Sequence, residues 1–235
     1  TTYGTPNLRG IVNRNAIPGC ATSINLPFVD YIVLIVRDPR YPAISLLNSP
    51  ELAVGELLTM ITVTTPAQTT DNSQWWKPKF EPNANPFILP WVPEAIANNA
   101  MLIYHAIQGT DVRVVVMNTG GCGYGEDEGF AVKFPPALSK FLLRQLARDT
   151  IEWEPSATRE GLFVPKGIPA LDLLEGGRFD ISSLLPEKQI EAAQLQDRIG
   201  ELQEIKQAEF DKYAEFLPTD VITPFRNSFR PLTVK

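Results

Sequence analysis

Apolar positions along the chain alternate between two kinds of run. Tyr31–Val36 (YIVLIV), and Val112 with Val114, Val115 and Val116, are nearly continuous and rich in β-branched residues, as expected of strands covered on both faces. Between them the spacing turns helical. Leu52, Val54, Leu57, Leu58 and Ile61 define one apolar face up to about Val63. Ser49 can cap this helix, Pro50 suits its first position, and Glu51 complements its dipole. A second helix runs from Pro93 to about Gln108, with Ile96, Ala100, Ile103, Tyr104 and Ile107 inward and Gly109 as its stop. A third spans Pro136 to Asp149 and turns Leu138, Phe141, Leu142 and Leu146 inward. Short strands are expected at Gly129–Lys133, Ile151–Trp153 and Leu162–Val164. The longest helix is expected from Pro186 to about Phe216, with Leu195, Ile199, Leu202, Ile205, Tyr213 and Phe216 on its packed side and Glu, Gln and Lys on the other. Residues 1–28 and 165–186 read as loops, and the tail from Pro218 as extended chain with a basic end at Arg226, Arg230 and Lys235. Thr64 to Pro90 is a proline-rich stretch carrying Trp75 and Trp76, longer than a routine connection. It is either a binding surface or a loop pinned by its tryptophans, and pinning is the favoured reading. Strands interleaved with helices point to one α/β domain over residues 1–235, a mixed sheet with flanking helices.

Composition narrows the function classes. Of 235 residues, 44% are hydrophobic and 20% charged, a globular balance. The net charge of −6 argues against sequence-independent binding to nucleic acid or anionic membranes. No apolar run approaches the ~20 residues of a membrane span, and the first residues lack the pattern of a signal peptide. A cytoplasmic location is expected. Cys20 and Cys122 are far apart and read as reduced thiols rather than a disulfide. His105 is the only histidine. With two distant cysteines it cannot complete a tetrahedral zinc set, and it reads as a partly buried structural residue rather than part of a triad.

The candidate chemistry lies after the central strand, in Asn118-Thr119-Gly120-Gly121-Cys122-Gly123-Tyr124-Gly125. Such a loop is either a tight connection or a ligand-facing turn at the carboxyl end of a buried strand, where open α/β sheets bind ligands. It is not a P-loop: no Gly-Lys-Ser/Thr follows, and Glu126-Asp127-Glu128 would repel phosphate. A dinucleotide fingerprint fails as well, because the next element reads as a strand.

Taken in order, the elements resemble the C-terminal part of ATP-type phosphoenolpyruvate carboxykinases, or more closely a bacterial family related to them. Thr5-Pro6-Asn7-Leu8-Arg9 is similar to that family's Thr-Glu-Asn-Thr-Arg segment, and Ile17-Pro18 to its isoleucine-proline step. YIVLIVRDP followed by SPELAVGELLTMITV resembles its strand, connection and Thr-Pro-Glu-Gln-Ala helix. VVVMNTGGCGYG resembles its valine-asparagine-threonine-glycine strand and loop. Thr150-Ile151-Glu152-Trp153-Glu154, Gly161-Leu162-Phe163-Val164-Pro165 and the last amphipathic helix match its tail in order and spacing.

The resemblance implies a P-loop-type nucleotide-binding fold and a phosphoryl-transfer enzyme that uses ATP, or another nucleotide, with Mg or Mn. The family decarboxylates oxaloacetate and phosphorylates the product. By position, Arg9 would contact the terminal phosphate and stabilise the transferring group. Aligned on Lys133, the family's base-pocket segment falls on Glu128 to Pro136; Gly129 and Pro136 replace its two arginines, Phe130 its isoleucine and Pro135 its threonine. Phe130 still offers a stacking face. The family's phosphate loop and metal ligands have no counterpart here, so an upstream segment or a companion chain is the expected partner. Two other readings stay open: a non-catalytic scaffold or regulatory domain that keeps the fold, and an unrelated α/β protein.

Overall fold

The computed structural model describes residues 29–63, 80–82, 92–125 and 129–229. Arg9, Cys20, the paired tryptophans and the acidic triplet 126–128 lie outside these.

The alternation of side chains across strands explains the layering. In β5 (Arg113–Asn118), Val114 and Val116 point into one core and Val115 into the other. β5 lies between β1 (Tyr31–Val36), which it pairs in parallel, and β2 (Ile44–Leu47), which runs antiparallel. β9 (Leu162–Gly167) and β8 (Glu152–Pro155) extend the sheet to the order β1-β5-β2-β9-β8. This is a mixed sheet with flanking helices, as the sequence pattern implies. Two small ribbons, β3 (Ile61–Val63) with β4 (Phe80–Pro82) and β6 (Gly121–Tyr124) with β7 (Phe130–Lys133), stand apart from it.

One face carries α1 (Pro50–Leu58) and α2 (Pro93–Ile107). Ser49 Oγ caps α1 by accepting from the Leu52 amide at 3.3 Å, and Gly109, at φ +72°, turns the chain after α2. Tyr104 Oη donates to Glu51 Oε1 at 3.1 Å, tying the two helices together. α1 ends earlier than its apolar face suggests, because Ile61 belongs to β3. The opposite face is covered by α3 (Pro136–Ala147), whose Leu138, Leu142 and Leu146 pack with Val115 and Phe179.

The C-terminal third departs from expectation. The single long helix is a short α4 (Pro186–Gln189), a break at buried, extended Ile190, and then α5 (Ala192–Asp211). Residues 165–186 hold the end of β9 and two 3-10 turns, Leu171–Gly176 and Ser182–Leu184. Beyond Pro218 the chain forms α6 (Thr219–Asn227) rather than an extended tail, burying Val221 and Phe225 one helical turn apart. Phe225 lies so close to α1 that a Cβ on Gly55 would sit 1.9 Å from its ring. β1 is likewise not fully covered: it ends the described sheet, and Ile35 is 57% exposed. His105 is exposed, edge-on to Tyr104, not partly buried. No described helix is long and apolar enough to cross a membrane.

A buried ionic cluster joins these layers. Glu56 of α1 is fully buried and binds Arg159, from the β8–β9 turn, through Oε1. Its Oε2 accepts from Lys206 Nζ of α5 at 3.0 Å and from Tyr41 Oη at 3.0 Å. Lys206, also fully buried, completes its three donors on Thr59 O and Thr59 Oγ1, at 2.9 and 2.7 Å. Arg159 stacks over Phe229 at 4.2 Å. Burial raises the Glu56 pKa, but the charge of Arg159 and then that of Lys206 outweigh this and hold it down at about 2. Burial foremost lowers Lys206, to about 8.

Glu56 therefore contributes stability that is full above its ordinary value of 4.5 and is lost as pH falls towards 2. Glu56→Gln should cost roughly 3–5 kcal/mol at neutral pH, because it leaves two buried cations unpaired. It should also flatten the fall in urea midpoint between pH 5 and pH 3, whereas an equally steep fall in the variant would remove Glu56 as its source. Leu202 lies beside the cluster at 5% exposure. Leu202→Ala should cost roughly 2–5 kcal/mol by the same assay, and a cost near zero would mean that α5 does not pack as described.

Candidate functional site

The parallel strands β1 and β5 end side by side, at Val36 and Asn118. Beyond them lie Arg37 to Tyr41 on one side and the glycine loop on the other, and the Asn118 side chain stitches the two. Its Nδ2 shares its two N–H groups among Asp38 O at 2.8 Å, Tyr41 O at 3.0 Å and Gly121 O at 2.7 Å, while its Oδ1 accepts from the Gly120 amide at 3.0 Å. The loop's other amides are committed too: Thr119 N donates to Val36 O at 3.0 Å and Gly123 N to Pro39 O at 2.9 Å. Several of the amides that a phosphate would need are already paired within the protein.

The glycines answer to packing. A Cβ on Gly120 would meet the Phe130 ring at 2.4 Å, and one on Gly121 would meet Val132 O at 2.2 Å. Gly123, at φ +67°, lies against Gln189. The loop thus folds into β6 and clamps the Phe130 side chain. The geometry of a tight connection accounts for these glycines without a ligand. What stays accessible is the half-buried Thr119, the half-buried Gly129 and Phe130, and the exposed Lys133 on β7. Lys133 pairs with Gly121 across the ribbon, so the structure brings Asn118, Thr119, Gly120, Gly121, Phe130 and Lys133 together at one corner, with Gly129 at the start of β7. Arg9 lies outside the described residues.

Charged groups that sequence reasoning passed over border this corner. Asp38 and Arg40 form a buried bidentate pair, Arg40 Nε to Asp38 Oδ1 at 2.9 Å and Nη2 to Oδ2 at 2.6 Å. Burial alone would lower the Arg40 pKa, but the hydrogen bond and charge of Asp38 raise it above its usual value. From α5, Arg198 sits 4.3 Å over the Tyr124 ring and Glu201 approaches Arg40 Nη1 at 4.0 Å. Burial, chiefly, pushes Tyr124 up to about 12. Cys122 is free and buried; it donates from Sγ to Ser183 O at 3.2 Å and is pushed up to about 12, mainly by burial. A thiol so placed is no nucleophile. The signal for the Asp38–Arg40 pair was the Arg37-Asp38-Pro39-Arg40 stop after β1, which reads equally as a solvated turn.

No family model matches the sequence. The phosphoenolpyruvate carboxykinase (ATP) of Aeropyrum pernix is 31% identical to it over 150 residues, 64% of this chain. This chain is similar to part of that enzyme. The match spans 28% of the enzyme's length. Among the described residues no three His, Cys, Asp or Glu side chains cluster to hold a metal ion.

Asn118→Ala would remove the side-chain hydrogen bonds to Tyr41 O, Gly121 O and the Gly120 amide, and one of the two that Asp38 O accepts, at a buried junction. It should cost about 3 kcal/mol, read as a drop in urea midpoint. Stability unchanged within about 0.5 kcal/mol would mean that the junction does not depend on this amide.

Proposed function

We propose that this chain is the nucleotide-facing, C-terminal portion of a carboxykinase-like phosphoryl-transfer protein. On this reading the phosphate loop and metal ligands come from an upstream segment or a companion chain, and this portion alone transfers no phosphoryl group. The observation that carries it is the similarity to an ATP-type carboxykinase over 150 residues. The α/β architecture supports it, since its parallel strands end at one corner, where such sheets take ligands. ATP with Mg or Mn is the cofactor set the reading requires. Arg9 would stabilise the terminal phosphate. Lys133 would face the nucleotide from β7, and the half-buried edge formed by Gly129, Phe130 and Thr119 would border the base. The substrate is left open, because its contacts would lie outside this portion.

A second reading, a non-catalytic scaffold, draws on one observation: the loop amides and the Gly120 hollow are filled by the protein itself. MgATP titration of the full-length protein by calorimetry separates the two. The first reading expects saturable binding that Lys133→Ala weakens about tenfold, or ~1.4 kcal/mol, with the urea midpoint unmoved because the side chain is exposed. It also expects Arg9→Ala to lower nucleotide turnover far more than stability. Absence of binding by the wild-type protein would leave the scaffold reading, and unchanged turnover in Arg9→Ala would remove Arg9 from the site.

A further inference from the structure

We propose that the small cavity beneath the β8–β9 turn is a binding site for a single chloride-sized anion, held between the guanidinium groups of Arg40 and Arg159. The cavity measures about 20 Å³ and is lined by Arg40, Thr158 and Arg159, with Leu162, Leu202 and Phe229 among its apolar walls. That is room for one water or one monatomic ion, and too little for a phosphate group.

Hydrogen bonding and charge point to the same missing partner. Arg159 binds Glu56 through Nη1 and donates to Ser228 Oγ through Nε at 3.3 Å, yet its buried Nη2 has no acceptor among the described residues. Arg40 spends Nε and Nη2 on Asp38, and among the described residues its Nη1 meets the half-exposed Glu201 carboxylate at 4.0 Å. Around the cavity and the adjoining Glu56 cluster, Arg40, Arg159 and Lys206 are buried cations, and Asp38 and Glu56 are buried carboxylates. Three against two leaves one positive charge in excess among the described buried groups. A water would satisfy Nη2 but not that charge; a halide satisfies both, and apolar walls strengthen its attraction. Because Arg159 also stacks on Phe229 and Lys206 belongs to α5, the ion would lock the C-terminal helices onto the sheet.

Two measurements on the wild-type protein test this. In crystals soaked in sodium bromide, an anomalous peak is expected within hydrogen-bonding reach of Arg159 Nη2. In solution, potassium chloride should raise the thermal midpoint above that in potassium gluconate at equal ionic strength. The rise should be roughly 3–8 °C once the halide is in large excess over its Kd. Density without anomalous signal, or an empty cavity, would overturn the proposal. Equal midpoints in the two salts would overturn it too, since a bromide peak without halide-dependent stability is an adventitious ion only.

Discussion

The Glu56 carboxylate holds the rest of the structure in relation. It sits on α1, against the sheet, and receives Tyr41 from the β1–β2 connection, Arg159 from the β8–β9 turn and Lys206 from α5. These partners are 15, 103 and 150 residues away in sequence. Removing any of them from water is costly, and only mutual pairing offsets the cost. The cluster therefore demands that all four segments arrive together. It also explains why α5 and α6 lie where they do, since Phe210, Phe225 and Phe229 pack around the groups it anchors.

That anchoring governs the candidate site. With Lys206 fixed on Glu56, the earlier turns of α5 bring Arg198 onto Tyr124 and Glu201 towards Arg40. The corner that open α/β sheets use for ligands is thus bordered by α5 and floored by Asn118. Its glycines bring the backbone close to Phe130 and Val132, so the loop itself is filled by the protein.

Much of the framework was legible because it rests on local rules. The β-branched runs of β1 and β5, the Ser49 cap with Pro50, the Gly109 stop and the inward leucines of α3 each follow from a few neighbouring residues. The errors share a different origin. Lys206 reads as part of a polar helix face, yet it falls in the same stripe as Leu202 and Phe210, spaced by four residues, and is fully buried. The tail from Pro218 reads as extended chain, yet α6 forms there, Pro224 included, because Val221 and Phe225 find a core. Ile35 reads as buried, and only its place at the end of the described sheet exposes it.

Fold class, most element types and the glycine-rich corner could be read from the residues alone, because periodicity, caps and turn residues act over one or two turns of chain. A similarity to ATP-type carboxykinases was legible in the same way, from short motifs in a fixed order. Which charges go inside, which glycines serve packing and which strand lies at the edge emerged only once the chain was folded. Those outcomes depend on partners up to 150 residues away, and no local pattern records whether a lysine will find its carboxylate or meet water.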